Sequence, residues 1–341
     1  MPSVSVIVLN YNGRQWIEGC LAGLRAQRET PVFETLLVDN GSRDDSVNFT
    51  RTEYPDVRIV NNGRNLGFAG GNNAGARHAA GEWLAFLNND TIPDPRWLAE
   101  LWSASRSNAE YGIVTSRLVF MDDPSVIDSA GDGYLRAGGA FKHGHGGRAE
   151  AFSRSREVFG ACGGAFMIRR ELFELLGGFD ERFFMVYEDV DLSYRARLRG
   201  ARVWYAADAI VRHAGSGSLG TISPNAVFYS QRNLEWTWIK NTPPGLLAST
   251  AFSHLIFSAA GALYYIRIGR GAAAVRGKWA AIRELRAVLA DRRRVQATAM
   301  ANAEALAAFM EPRWLAAKRR EKAYISSRAA TPRAADSGVE R

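Results

Sequence analysis

Four short apolar runs near the start of the chain each end in a cluster of turn-forming polar residues, and this pattern leaves few folds open. Val4-Ser5-Val6-Ile7-Val8-Leu9 runs into Asn10-Tyr11-Asn12-Gly13, and Thr35-Leu36-Leu37-Val38 into Asp39-Asn40-Gly41-Ser42. Val57-Arg58-Ile59-Val60 runs into Asn61-Asn62-Gly63-Arg64, and Trp83-Leu84-Ala85-Phe86-Leu87 into Asn88-Asn89-Asp90. Helical patterns lie between them. Arg14 to Arg25 places Trp16, Cys20 and Leu24 on one side, Ser42 and Asp45 read as a capping box for the next helix, and Ala69 to Ala80 reads as a third. Short apolar strands alternating with helices predict a Rossmann-like α/β fold, a mostly parallel sheet with helices on both faces. Such sheets bind ligands beyond the carboxyl ends of their strands, so the polar clusters predict one convergent site.

Length, charge and cysteine content frame the rest. At 341 residues and 47% hydrophobic content the chain fits one large or two modest domains. Met1-Pro2-Ser3 lacks a basic region, so no secretory signal is expected, and Cys20 and Cys162 read as buried thiols in a reducing compartment. Residues 267–341 carry 17 Lys/Arg against 7 Asp/Glu, whereas residues 1–266 carry 26 against 28. The charge shift near residue 266 and the apolar stretch before it divide the chain into a domain over 1–240 and a basic helical tail over 241–341. Gly245 to Ile266 is long enough to span a bilayer and has no formal charge. Thr250, Ser253, His254, Ser258 and Gly261 nevertheless fall on one helical stripe, with Phe252, Ile256, Ala259, Leu263 and Ile266 on another. Val275, Trp279, Ile282, Leu285 and Leu289 then recur at helical spacing among Arg276, Lys278, Arg283 and Arg286. The pattern predicts in-plane helices on an anionic membrane surface, at the cytoplasmic face of the cell membrane, rather than nucleic-acid binding. Packing on the protein itself, homo-oligomerisation, or a true span are the alternatives.

The chemistry is carried by carboxylates. Glu188-Asp189-Val190-Asp191 follows Phe183-Phe184-Met185-Val186-Tyr187, and Val190, Tyr194 and Leu198 repeat every fourth residue, which sets Asp189 at a helix start. The helix dipole there favours the ionised form, while Glu188 and Asp191 oppose it. Asp90, at a strand end, can hold a metal. Together they point to an enzyme that moves a group from a metal-bound diphosphate to a hydroxyl. Two further patterns read as decoys. Gly215-Ser216-Gly217-Ser218-Leu219-Gly220 matches a dinucleotide fingerprint but comes late and is followed by Ser223-Pro224, so it is expected to be a lid over the diphosphate. His143-Gly144-His145 has no third ligand nearby in sequence and is expected to be a solvent-exposed loop.

The ordered set of motifs over residues 4–215 resembles the inverting family 2 glycosyltransferases of GT-A fold, in particular their bacterial rhamnosyltransferase-like branch. The matching pieces are Val4 to Asn12, Val38-Asp39-Asn40-Gly41-Ser42, Asn65 to Asn73, Leu87-Asn88-Asn89-Asp90, Gly163-Gly164-Ala165-Phe166, Gly177 to Glu181, Glu188 to Leu192, and His213. The resemblance implies that Asn10, Asp39, Arg64, Gly67, Asn88 and Asn89 line a nucleoside-diphosphate sugar, with Asp39 accepting from the imide N–H of uracil or thymine. It implies Asp90 as a contact to Mg²⁺ or Mn²⁺ and His213 as a ligand of the same metal or a contact to the diphosphate; Asn88 stands where the family's Asp-x-Asp motif has its first acid. It implies Asp189 as general base, Glu188 as a contact to the acceptor or donor sugar, and Gly163-Gly164 as room for the acceptor. The expected reaction moves a hexose, L-rhamnose from dTDP-rhamnose, to a cell-envelope glycan or lipid-linked acceptor. The alternatives are a non-catalytic nucleotide-sugar-binding or membrane-scaffold protein, raised by Asn88, and a nucleotide-dependent oxidoreductase, for which the first strand lacks a glycine fingerprint.

Overall fold

A computed structural model describes residues 2–107, 109–215 and 223–320. The first half alternates as the apolar runs require: β1 (Val4–Asn10), α1 (Arg14–Arg25), β2 (Phe33–Asp39), α2 (Ser46–Glu53), β3 (Arg58–Asn61), α3 (Gly67–His78) and β4 (Trp83–Asn88). These strands lie parallel in the order β3-β2-β1-β4. Strand β1 is apolar on both faces because both are covered. Ile7 joins Leu36, Val38, Leu84 and Phe86 on one side, while Val4, Val6 and Val8 pack under Ile17, Leu21 and Leu24 of α1 on the other. The register sets Asn10 opposite Asp39, Asp39 opposite Asn61, and Leu9 opposite Asn88, so the polar strand ends form one row.

The chain continues through β5 (Thr91–Pro93), α4 (Trp97–Ser107), β6 (Tyr111–Phe120), β7 (Ile127–Ser129), β8 (Asp132–Leu135), β9 (Ala140–Lys142), β10 (Arg156–Val158), β11 (Ala165–Arg169), α5 (Arg170–Leu175), α6 (Glu188–Leu198) and β12 (Arg202–His213). Strand β11 inserts antiparallel between β4 and β6, and β12 runs parallel to β6, extending the sheet to β10-β12-β6-β11-β4-β1-β2-β3. One local expectation fails. Helix α2 starts at Ser46, and Ser42 does not cap it; its Oγ instead accepts from the amide of Asn12 (2.9 Å) and from Asn10 Nδ2 (3.1 Å). Cys20 and Cys162 are free and buried, and burial pushes both thiols up, Cys20 to about 12.

Beyond β12 come α7 (Pro224–Asn241), α8 (Pro244–Arg267), α9 (Gly271–Arg283), α10 (Leu285–Ala297), α11 (Ala303–Ala308) and β13 (Met310–Glu311). Strand β13 pairs with β8 and completes a small sheet, β13-β8-β9. Leu306 and Met310 share a core with Tyr134, Phe159, Val190 and Tyr194. Phe257 and Ala317 share another with Leu135 and Leu234. The basic helices are thus packed directly against the element that carries Asp189.

Candidate active site

Asn10 organises the row of strand ends. It is fully buried; its Nδ2 donates to Ser42 Oγ and to Ser46 Oγ (2.8 Å), and its Oδ1 accepts from Asn89 Nδ2 (2.8 Å). Asp39 accepts from the amides of Gly41 (3.2 Å) and Ser42 (3.2 Å), an Asx turn that fixes the carboxylate at the tip of β2. Asn40 bonds across to Asn62, Asn65, Leu66 and Gly67, tying the ends of β2 and β3 to the start of α3. Gly67 has φ +73°, and a Cβ there would lie 2.4 Å from the Phe184 carbonyl oxygen, so the backbone contact between α3 and that loop requires glycine. Arg64 is exposed on the turn beside Gly41.

Asp90, just before β5, and His213, at the end of β12 and opposite Thr91, meet with Nε2 of His213 3.4 Å from Asp90 Oδ1. The other ring nitrogen, Nδ1, lies 2.8 Å from Oδ2 of Asp128, a fully buried carboxylate on β7. Lys142 Nζ donates to both oxygens of Asp128 (2.9 and 3.0 Å). Burial alone would raise the Asp128 carboxyl, but Lys142, His145 and His213 outweigh it and hold it well below the usual carboxylate range. Burial likewise would lower His213, yet its hydrogen bonds to Asp128 and Asp90 raise it to about 9. A carboxylate and an imidazole, the latter oriented by a buried acid, fit a divalent cation that takes its other ligands from a diphosphate and water. Among the described residues no group of three or more His, Cys, Asp or Glu is arranged to hold a metal ion by itself.

The expected proton acceptor, Asp189, sits across the glycines. Asp189, in the first turn of α6, accepts through Oδ2 from the amide of Gly163 (2.8 Å) and through Oδ1 from that of Val190 (2.8 Å). Gly164, the next residue, accepts from the amide of Asn88 (3.0 Å). Two adjacent glycines therefore join the base to the Asn88-Asn89-Asp90 corner. Burial raises the carboxyl of Asp189, against the two amides that lower it; burial and then the charge of Asp189 push Glu188 up well above the usual range. Glu188 is 5% exposed, and its Oε2 has no hydrogen-bond partner among the described residues. Asp191, the third acid, is engaged by Arg195 (2.7 Å), Lys240 (2.8 Å) and Asn241 (2.8 Å), which makes it an anchor for α6 rather than a reactive group.

The segment feeding α6 is strained. Phe184, Val186 and Tyr187 all have positive φ (64°, 67° and 76°), an outlier for a β-branched residue such as Val186. Asn233 of α7, fully buried, holds it by donating to the carbonyls of Phe183, Met185 and Val186.

The structure thus brings Asn10, Asp39, Gly67, Asn88, Asn89, Asp90, His213, Glu188 and Asp189 to one edge of the sheet, with Arg64 on its exposed rim. The expected lid, apart from Gly215, lies outside the described residues. His143 and His145 are not a solvent-exposed loop. His145 is 12% exposed, lies 2.8 Å from the Asp128 carbonyl oxygen and packs edge-on against Phe120, and burial lowers His143 to about 4. Asp128, Lys142 and Asn233 escaped the sequence reading. An acid inside Val126-Ile127-Asp128 was the available signal for the first.

Solved structures share this fold. The chain aligns over 96% of its length with 86% of a mannosyltransferase of Pyrobaculum calidifontis in complex with GDP-mannose and Mn²⁺ (TM-score 0.56, 20% identity). It aligns equally over 96% with 92% of TarS 1–349 of S. aureus in complex with UDP (TM-score 0.54, 16% identity). The architecture is therefore GT-A-like, with a C-terminal helical region. Among curated proteins, it is 33% identical to the O-antigen biosynthesis protein RfbC of Myxococcus xanthus over 64% of this chain but only 18% of that protein. It is 31% identical to the N-acetylglucosaminyl-diphospho-decaprenol L-rhamnosyltransferase of Mycobacterium tuberculosis, over 63% of this chain and 77% of that one. It is 27% identical to the low-salt glycan biosynthesis hexosyltransferase Agl10 of Haloferax volcanii, over 58% and 62%. The family model described as glycosyl transferase family 2 matches residues 5–177, which run from the first strand to the turn after α5. With more than half of its length so matched, the chain belongs to glycosyl transferase family 2.

Proposed function

We propose that the protein is an inverting glycosyltransferase that moves L-rhamnose from dTDP-rhamnose to a hydroxyl of a cell-envelope glycan or lipid-linked acceptor. The observation that carries the reaction type is the glycine pair: Gly163 bonds the carboxylate of Asp189 while Gly164 bonds Asn88, so base and diphosphate corner share one rim. Asp189 takes the proton of the acceptor hydroxyl as its oxygen bonds to the anomeric carbon. The bond from that carbon to the diphosphate breaks on the opposite face, and the nucleoside diphosphate leaves. Asp90 and His213 would hold Mg²⁺ or Mn²⁺, which supplies charge neutralisation to the leaving diphosphate. Asp128 orients His213, and Asp39 faces the base of the nucleotide. The sugar is drawn from the named rhamnosyltransferase relative, and the pyrimidine nucleotide from the carboxylate of Asp39.

The test is a thermal-shift screen of dTDP-, UDP-, GDP- and ADP-sugars with and without Mn²⁺, followed by transfer to a prenyl-diphosphate-linked acceptor and NMR of the new linkage. Stabilisation by dTDP-rhamnose with Mn²⁺, and an inverted anomeric centre in the product, are expected. Equal stabilisation by all four nucleotides, or retention at the anomeric carbon, would overturn the reading.

A further inference from the structure

Helix α8 presents the wrong face to water. Its polar stripe is the one turned inward. Thr250 and His254 are buried, His254 Nε2 lies 2.7 Å from Glu235 Oε2 of α7, and Ser258 Oγ donates to Glu235 Oε1 at 2.8 Å. Lys278 of α9 closes the same carboxylate. Its apolar stripe is turned outward, with Phe252 75% and Leu255 65% exposed and Ile256 and Leu263 close behind. Helix α9 repeats the arrangement beside it. Small residues including Ala274, Gly277 and Ala281 face inward; Gly277 sits so close to α7 that a Cβ would lie 2.5 Å from the Phe228 carbonyl oxygen. Val275, Trp279 and Ile282 face outward, each more than half exposed. Single exposed apolar side chains are ordinary, but two packed helices that both turn large apolar side chains outward make a surface built to lose its water.

The charge around this surface identifies what covers it. Residues 244–283 contain five Lys/Arg and no Asp/Glu, and Arg267, Arg276 and Arg283 are exposed. A second copy docked through the same face would bring these cations together across a two-fold axis. An anionic bilayer would match both the apolar stripes and the positive rim. The inward polar stripe is bonded to α7, so only one side of α8 can meet hydrocarbon, which excludes a spanning orientation for this packing. We propose that the outward faces of α8 and α9 dock in plane on an anionic lipid bilayer. The docking stands apart from the transfer reading, because none of these residues touches the site.

Flotation of the full chain with vesicles of phosphatidylcholine alone and of phosphatidylcholine with phosphatidylglycerol tests it. Truncation is unsuitable, since it would uncover Leu234 and Trp236. Binding to the anionic vesicles is expected, weakened by salt and by about 5-fold for each of Arg267→Ser and Arg276→Ser. The triple variant Phe252→Ser/Leu255→Ser/Trp279→Ser should not float, while keeping its thermal midpoint and its transfer to a soluble acceptor. Brominated lipids should quench the native protein and spare Trp279→Phe part of that loss. Full-length protein that ignores anionic vesicles would overturn the proposal, as would a triple variant that floats like the native chain. A lipid-free dimer that the triple variant dissolves would assign the face to a second copy instead.

Discussion

Nδ2 of Asn233 lies 2.7 Å from the carbonyl oxygen of Val186, a β-branched residue held at φ +67° two positions before Glu188. One buried amide on α7 therefore sets the backbone path that delivers Asp189. A strained loop persists only where its surroundings over-determine it, and here three carbonyls converge on a single side chain.

Asn233→Leu should accordingly lower kcat by about 10-fold or more with little change in donor affinity, because Asp39 and the strand ends are untouched. The unpaired carbonyls should also cost roughly 1–3 kcal/mol of stability each if they stay buried, less if the loop relaxes. Kinetics beside nucleotide titration checks this. A parallel loss of donor affinity would show that Asn233 supports the whole domain rather than the loop.

Asp189→Asn keeps the shape and one acceptor for the Gly163 amide but removes the proton acceptor, so single-turnover transfer should fall at least about 100-fold while dTDP binding holds. The acid limb of the pH–rate profile should lie above the ordinary aspartate value of 3.8, since burial raises the Asp189 carboxyl and only its ionised form is active. Activity is thus lost as pH drops through that elevated value. Glu188→Gln replaces a carboxyl that burial holds well above the usual range and should leave the limb where it is. A limb that moves down in Glu188→Gln would show that Glu188 carries charge.

Asp128→Asn should weaken Mn²⁺ binding about 10- to 100-fold, the usual effect of losing the partner that orients a ligating imidazole. Calorimetric titration of Mn²⁺ in the presence of dTDP reads it directly, without reference to turnover. EDTA should inhibit the native enzyme; full activity in EDTA would leave His213 and basic residues to meet the leaving diphosphate unaided.

Acid should loosen the α7–α8 contact. Burial would raise Glu235, but His254 and Lys278 outweigh it and lower its carboxyl from 4.5 to about 2. A lowered carboxyl contributes stability that is complete above the unfolded value and is lost as pH falls from about 4.5 towards 2, here roughly 3 kcal/mol. Thermal midpoints measured down that range should fall less steeply in Glu235→Gln than in the native chain; identical slopes would remove Glu235 from the acid response.

What could be read from the sequence was local. The tips of β1 to β4 announced themselves because a polar, turn-forming cluster follows each apolar run, and the four-residue repeat from Val190 to Leu198 was enough to start α6 within one residue of its observed first residue, Glu188. The capping rule failed at Ser42 because a long-range bond from Asn12 claims the hydroxyl. Asp128 and Lys142 were invisible for a different reason. Asp128 meets His213, and Lys142 meets Asp128, only through the pairing of β7 with β6, of β12 with β6, and of β9 with β8, and no local period encodes those registers. Asn233 lies within a helix far along the chain from the loop it holds, where its neighbours give no hint of a buried role.

Strand β13 gives the order of synthesis a consequence. When His213 leaves the ribosome, every motif of the transfer edge has been made, yet Asn233 and the strand that completes the sheet bearing Lys142 are still to come. The next hundred or so residues take roughly 5–20 s to translate. During that interval the nascent domain can bury β1 to β4, and Asn233 emerges early to hold the loop before Asp189, whereas the small sheet waits for β13. The small sheet that bears Lys142 is therefore completed only after α8 and α9 have emerged.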